Sequence, residues 1–496
     1  MRRCAAAAPQ ARPAQALAVS DRPLRVVRKS AIGNPRSSSG SDTARRPHWL
    51  CRRSRTGPAV LQPSNIPVRS ADSHPCGTGL GMLGPASQNL PRTTDRMQRV
   101  LLVAALLVAP IAWCAGDAGG KTPWPTHGWS RATPASVGLD ETVLAALDND
   151  LARGKYSLVD TFHVFRCGAE VYSRKYDHDY GKLYSKEAKM KGPLNARLTG
   201  RYNYFDPAWH PYYHGTDLHT MQSVSKTVTS GIIGVAITRG DFKSGLDRPA
   251  LSYFDIAKVK NVDDRKPRMT LQNVLTMTTG LDWVEDVPYD DPRSDSSLME
   301  ATDDWVQYAI DKPMAHEPGT VFNYSSGATE LLAYIFQKET GEDIDAYAEK
   351  HLFVPLGIRH HWKRTYLGVV DTEGGLYLNG EDLAKIGYLY LNDGVWDGRR
   401  LISEAWVRQS LTPVIDTGWQ GLKYGFKWWL QPRKDGKEYI WHGIGFGGQR
   451  LMVFPSEQVI ATFTGWDILK DIEFDSELAD RLLPAVRSAA CGEPAR

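Results

Sequence analysis

The sequence predicts an α+β fold: an antiparallel sheet drawn from N- and C-terminal segments, flanked by helices, with a mainly helical middle region. Three observations predict it. Strand-like text occurs at both ends of the globular part, helix and loop signals fill the stretch between, and no internal repeat divides the chain. Strands at both ends with helices between them close as one sheet with the helical middle packed on or beside it.

The globular part starts late. Residues 1–96 are rich in Arg, Pro, Ser and Ala and show no lasting apolar periodicity. Such text cannot bury enough apolar surface to offset the entropy of ordering. It reads as a disordered basic extension arising from an over-early start codon; a basic arm for an anionic partner is the alternative. Met97-Gln98-Arg99 then opens an apolar run from Val100 to Ala112, with Ala115 and Gly116 behind it. A basic start, a short apolar stretch and small residues make a secretory signal peptide over 97–116. A membrane span needs roughly 20 apolar residues, so no stable span is expected once the signal is removed. The expected location is periplasmic or secreted. Lipid attachment at Cys114 is the weaker reading, because bulky Trp113 precedes it. Residues 117–496 form the expected domain.

Hydrophobic residues make up 42% of the chain and charged residues 23%, ordinary for a globular protein. The net charge of +4 misleads. Residues 1–96 hold fifteen Arg and one Lys against four Asp, a surplus of +12, so the remainder carries −8. A mildly acidic domain does not read as a nucleic-acid binder. Of six cysteines, only Cys167 and Cys491 follow the export signal, and the sequence leaves their pairing open. No metal site is expected: Cys spacing is wrong for zinc, and Pro211 between His210 and His214 puts that pair in a loop.

Taken in order, Leu158 to Arg166 and Ala169 to Tyr172 read as a hairpin turning at Cys167-Gly168. Residues 176 to 218 are polar and read as loop or insertion. Their aromatics (Tyr202, Tyr204, Trp209, Tyr212, Tyr213) are expected to border a cleft with the loop from Trp283 to Arg293. A helix starts near Ser223 and buries Val224, Val228, Ile232 and Val235, with Gly240 as its stop. Helix and loop follow until about 435. Strands are expected around Glu438 to Trp441, Arg450 to Phe454 and Val459 to Phe463, then a helix from Asp475 to Ala490.

Three motifs carry chemistry. The first is Ser223-Val224-Ser225-Lys226. On a helix Ser223 and Lys226 share a face, and a serine hydroxyl becomes a nucleophile only when a neighbouring base takes its proton. The helix N-terminus adds N–H groups where an oxyanion would form. Taken alone, the pair reads equally as a capping serine beside a surface lysine. The second is Phe322-Asn323-Tyr324-Ser325-Ser326-Gly327, where Tyr324 offers a phenolic oxygen for proton relay beside a polar group at Ser326. The third is Trp441-His442-Gly443-Ile444-Gly445-Phe446-Gly447-Gly448, a glycine-rich loop between strands that permits close backbone approach. A Gly-x-Ser-x-Gly elbow, the mark of an α/β-hydrolase, is absent from the sequence.

In this order the motifs resemble those of the serine β-lactamase and penicillin-binding-protein superfamily, whose class A form is S-x-x-K, S-D-N and K-T-G. The spacing is similar to that of the class C branch, with Tyr-x-Asn second and a His-led third motif. Leu275 to Trp283, Leu352 to Ile358, Gly374-Gly375-Leu376 and Tyr424 to Trp429 look like further segments of that branch, nearest to 6-aminohexanoate-dimer hydrolases and esterase-type serine hydrolases. The resemblance covers essentially 130 to 490 and implies a β-lactamase/DD-peptidase-like fold. It implies an ester- or amide-cleaving enzyme with a small-molecule substrate, an acyl-enzyme on Ser223, and no metal or cofactor. Lys226 and Tyr324 would share the role of general base, and the N–H groups of Ser223 and Gly445 would hold the oxyanion. Ser326, His442 and Trp283 would contact or position substrate. Two departures tell against efficient β-lactam hydrolysis: Ser326 stands where class C has Asn, and the third motif reads His-Gly-Ile-Gly. An acyltransferase, a D-amino-acid peptidase and a penicillin-binding sensor that acylates once are the alternatives. Oligomeric state is not legible.

Overall fold

The computed structural model describes residues 124–434, 436, 438–470, 475–488 and 491. These lie within one unit, 109–496. The basic extension and the signal peptide expected over 1–96 and 97–116 fall outside the described residues.

The centre is a nine-stranded sheet. Its strands are β1 (Ser130–Arg131), β2 (Val159–Arg166), β3 (Ala169–Lys175), β4 (Ile415–Asp416), β5 (Lys423–Tyr424), β6 (Trp429–Pro432), β7 (Tyr439–Gly445), β8 (Gln449–Phe454) and β9 (Val459–Gly465). Their order is β1-β3-β2-β9-β8-β7-β6-β5-β4. The last strand pairs antiparallel with β2, Phe463 opposite Phe162, so the two ends of the domain meet in the middle of the sheet. The expected antiparallel character holds except at one edge, where β1 runs parallel to β3.

Alternation along β8 sorts side chains to two cores. Leu451 and Val453 join one cluster, Met452 and Phe454 the other, as the period of two in a strand requires. On the second face lie α1 (Glu141–Ala152), through Leu144, Leu147 and Leu151, and the C-terminal segment, through Leu478 and Leu482. On the first face lie α2 (Val224–Arg239), α3 (Ser326–Thr340) and α4 (Gly380–Leu391). Gly387 of α4 lets the helix sit directly on the sheet: a Cβ there would come within 3.0 Å of Val453. The closing helix, α5 (Asp475–Leu482), is shorter than expected and tightens into a 3₁₀ turn at Leu483–Ala485, where Pro484 cannot supply a backbone N–H.

Two expectations change. Strands β4, β5 and β6 lie in a stretch expected to be helix and loop; they are short, and aromatic residues mask their period. Tyr202 and Tyr204 do not border a cleft: they are 2% and 7% exposed. Tyr202 packs on Trp305, and Tyr204 stacks on His210 and Trp466. A polar segment with many tyrosines thus serves as an inner wall. Cys167, at the turn between β2 and β3, is disulfide-bonded to Cys491.

Candidate active site

Helix α2 is buried nearly all round from Val224 to Ala236. Ser223 occupies its N-cap position but makes no capping hydrogen bond, and Lys226 is 1% exposed. The reading of a capping serine beside a surface lysine therefore fails on both residues. Gln222, just before the serine, is held at φ 46, a left-handed conformation that a non-glycine residue adopts only when its surroundings enforce it. At the far end Gly240 caps the helix at φ 77, as expected.

Lys226 Nζ donates to Ser223 Oγ at 2.8 Å, to the backbone oxygen of Glu373 at 2.8 Å and to Glu373 Oε2 at 3.2 Å. Burial opposes its charge, but Tyr324, Glu373 and Glu285 outweigh that, and the ammonium is held well above the usual lysine range. A second lysine, Lys427, is also buried, with Nζ 3.3 Å from Met277 Sδ. Burial and the charge of Lys226 push its amine well below the ordinary value.

Tyr324 comes from the loop that enters α3. Asn323 fixes that loop: its N–H donates to Met277 O at 2.8 Å, and Nδ2 donates to Trp283 O at 3.0 Å. Ser325 caps α3 by accepting from Ala328 N–H at 3.0 Å. The Tyr324 ring stacks on Trp429 with centroids 5.4 Å apart, and Lys226 Nζ lies 5.2 Å from its centre. Burial pushes its phenol up; Lys226 and the Ser223 side chain pull against that, and the net direction is upward.

The third motif is strand rather than loop up to Gly445, and only residues 446 to 448 turn. Its glycines are there for contact. A Cβ on Gly443 would come within 3.0 Å of Val224, and one on Gly445 within 2.5 Å of the Met221 backbone oxygen. The end of β7 is thereby pressed against the segment that enters α2.

Three residues expected to touch substrate are instead buried: Ser326 and His442 at 0% and Trp283 at 4% exposure. Ser326 gives its N–H and hydroxyl to Glu285, at 2.7 and 2.6 Å. Trp283 Nε1 donates to the same carboxylate at 2.6 Å, and Tyr289 donates to it at 2.9 Å. The Trp283 ring covers Gly327, where a Cβ would meet it at 2.5 Å. Glu285 and Glu373 are residues that sequence reasoning missed; Glu285 accepts from Ser326, and Glu373 from Lys226. Glu285 gave the weaker signal. It stands two positions after Trp283 in a segment rich in acids, and nothing local set it apart. Burial raises its carboxyl while Lys226 lowers it, and the net direction is upward.

Two other concavities, of about 310 and 520 Å³, lie around His361 and along His163, and Ser223, Lys226 and Tyr324 line neither. Beside the second, His163, Glu170 and Glu381 bring ligand-type atoms within 4.8 Å of one another. Arg131 pairs with both carboxylates there, so its positive charge already stands where an ion's would.

Residues 163–464 match the beta-lactamase family model. The chain belongs to the beta-lactamase family. This beta-lactamase-family chain is 26% identical over 274 residues to the 6-aminohexanoate-dimer hydrolase of Paenarthrobacter ureafaciens, covering 50% of this chain and 67% of that one. It is 26% identical over 149 residues to the monacolin J acid methylbutanoyltransferase of Aspergillus terreus, covering 28% of this chain and 36% of that one. A 6-aminohexanoate-dimer hydrolase structure from Bacillus anthracis superposes with a TM-score of 0.53 at 18% identity, over 74% of this chain and 87% of that one, which shows the shared fold. The family member described here is a serine hydrolase of the beta-lactamase type.

Proposed function

We propose that this hydrolase cleaves a carboxylic ester or amide of a small molecule through an acyl-enzyme on Ser223. The observation that carries the reading is the contact of Ser223 Oγ with Lys226 Nζ at 2.8 Å, with the Tyr324 ring centre 5.2 Å from the same Nζ. Ser223 attacks the carbonyl carbon. Its proton passes to the oxygen of Tyr324, and from there to the leaving alcohol or amine. Lys226 holds the developing charges. The N–H groups of Ser223 and Gly445 stabilise the oxyanion; loss of one such donor costs about 2.7–4 kcal/mol in other hydrolases. Water then releases the acid and restores the serine. The rings of Trp429, stacked on Tyr324, and of Trp419, packed on Trp429, would offer the substrate an apolar wall. The class C assignment rests on Tyr324 standing two residues before Ser326. Export is supported by the disulfide, since such bonds persist in oxidising compartments.

Transfer of the acyl group to an alcohol or amine is the second reading. The aromatic wall favours it, because such a wall would hold an apolar acceptor where water would otherwise attack. Intact-mass spectrometry after a fluorophosphonate tests the nucleophile. One adduct on the wild-type chain and none on folded Ser223→Ala is the expected result; an adduct that survives the substitution would sink the assignment. Release of acid with and without added alcohol then separates hydrolysis from transfer.

A further inference from the structure

Beneath the catalytic pair lies a buried set of charges that the reaction as written does not use. Glu373 sits in the turn that leads into the strand Leu376–Leu378 and is 5% exposed. Glu373 offers Lys226 two acceptors, its backbone oxygen at 2.8 Å and its carboxylate at 3.2 Å, and the second makes a buried ion pair. A carboxylate so close favours the charged ammonium, which has no lone pair to take a proton from Ser223. Glu373 is itself fixed. Its N–H donates to Glu330 Oε1 at 2.9 Å.

We infer that Glu373 is a positioning residue that keeps Lys226 an ammonium and leaves Tyr324 as the only acceptor for the proton of Ser223. This rests on the acyl-enzyme reading above and refines it: the two residues do not share the role of base. The proton moves from Ser223 Oγ to a Tyr324 phenolate, and Lys226 keeps all three of its own.

The charges around Glu373 agree with this. The groups in electrostatic contact with it are Lys226 from α2, Glu300 from the helix Asp295–Glu300, Glu330 from α3, Lys363 and Asp371 from its own segment, and Glu285, Tyr204, Tyr289 and Tyr324. Burial pushes the carboxyls of Glu300 and Glu330 well above the usual range. Burial also raises Glu373, but Lys226, the Glu300 side chain and Lys363 draw it down. Lys226 pairs with Glu373 and Lys363 with Asp371, so removal of Glu373 leaves a buried ammonium uncompensated.

The test is the rate of fluorophosphonate labelling of Ser223 against pH in the full chain, for the wild type, Glu373→Gln and Glu373→Asp. Deprotonation of Tyr324 makes the rate rise with pH. Glu373 raises the phenol, so its neutralisation moves that limb to lower pH. Glu373→Gln should also lose about tenfold or more of the plateau rate. Glu373→Asp, which keeps the charge, should hold the limb near its wild-type position. A Gln variant with the wild-type rate and limb would overturn the proposal, and so would a slower variant with an unmoved limb, which is what a packing role alone gives. Should Glu373→Gln fail to fold, the wild type still decides: a fall in labelling below the ordinary lysine value of 10.5 would mean that Lys226 gives up its proton. Absence of any adduct at Ser223 in the wild type sinks the acyl-enzyme reading; an adduct with indifferent Glu373 variants sinks only this one.

Discussion

Glu285 accepts both donors of Ser326, the N–H at 2.7 Å and the hydroxyl at 2.6 Å. A serine so engaged ties the start of α3 to the loop that carries Glu285. With Trp283 and Tyr289 the carboxylate takes four hydrogen bonds, all from donors. Glu285→Gln replaces one acceptor oxygen with an NH₂ that faces donors. The expected loss of stability is about 1–3 kcal/mol, read as a lower midpoint in urea. The negative charge also raises Tyr324, so the rising limb of the pH–rate profile should move to lower pH. An unchanged limb would show that Glu285 acts on the fold alone.

Tyr324→Phe keeps the ring stacked on Trp429 and removes only the oxygen. With the proton relay gone, kcat should fall by about 10²–10⁴-fold, with KM changed little and the alkaline limb lost. Steady-state rates from pH 6 to 10 check this. A Phe variant that retains the limb would place the base elsewhere.

A side chain at Gly445 has nowhere to go. Its Cβ would stand 2.5 Å from the Met221 oxygen and 2.9 Å from Gln449 Cβ. Gly445→Val should push β7 away from the segment entering α2 and displace the N–H proposed to hold the oxyanion. The expected loss is at least about 10²-fold in kcat, together with a lower melting temperature. Near-normal turnover would free Gly445 of the assigned role.

Trp283 gives a packing test. Trp283→Ala leaves Gly327 uncovered and removes one donor to Glu285. Such truncations cost about 3–5 kcal/mol, read as the unfolding midpoint in denaturant. Trp283→Phe retains the ring contact and should lose the hydrogen-bond share, about 1–3 kcal/mol for a charged acceptor.

What the sequence disclosed followed the range of each signal. The stop at Gly240, the hairpin at Cys167-Gly168 and the strand at 459 are local, and each lies where its residues said. Ser223 and Lys226 were legible as a pair because residues three apart on a helix share a face, and Nζ stands 2.8 Å from Oγ, with the Tyr324 ring centre 5.2 Å away. The third motif was less so: read as a loop, its His442 and Gly443 are strand, because glycine there answers to Val224 across the helix–sheet contact and not to its neighbours in sequence. The roles of Glu285 and Glu373 were invisible. A buried carboxylate looks like any surface acid until the partners 41 and 147 positions away are known. The tyrosines of 176–218 misled for the same reason, since polarity in a segment does not say which face its rings turn inward.

The bond between Cys167 and Cys491 makes the chain from 167 to 491 a covalent ring. Ser223, Tyr324 and the strand that carries Gly445 all belong to it. One cut by a protease in the exposed stretch near Asp290 would therefore open the ring without freeing a piece, and the oxidised protein would keep its mass until a reductant parted the fragments.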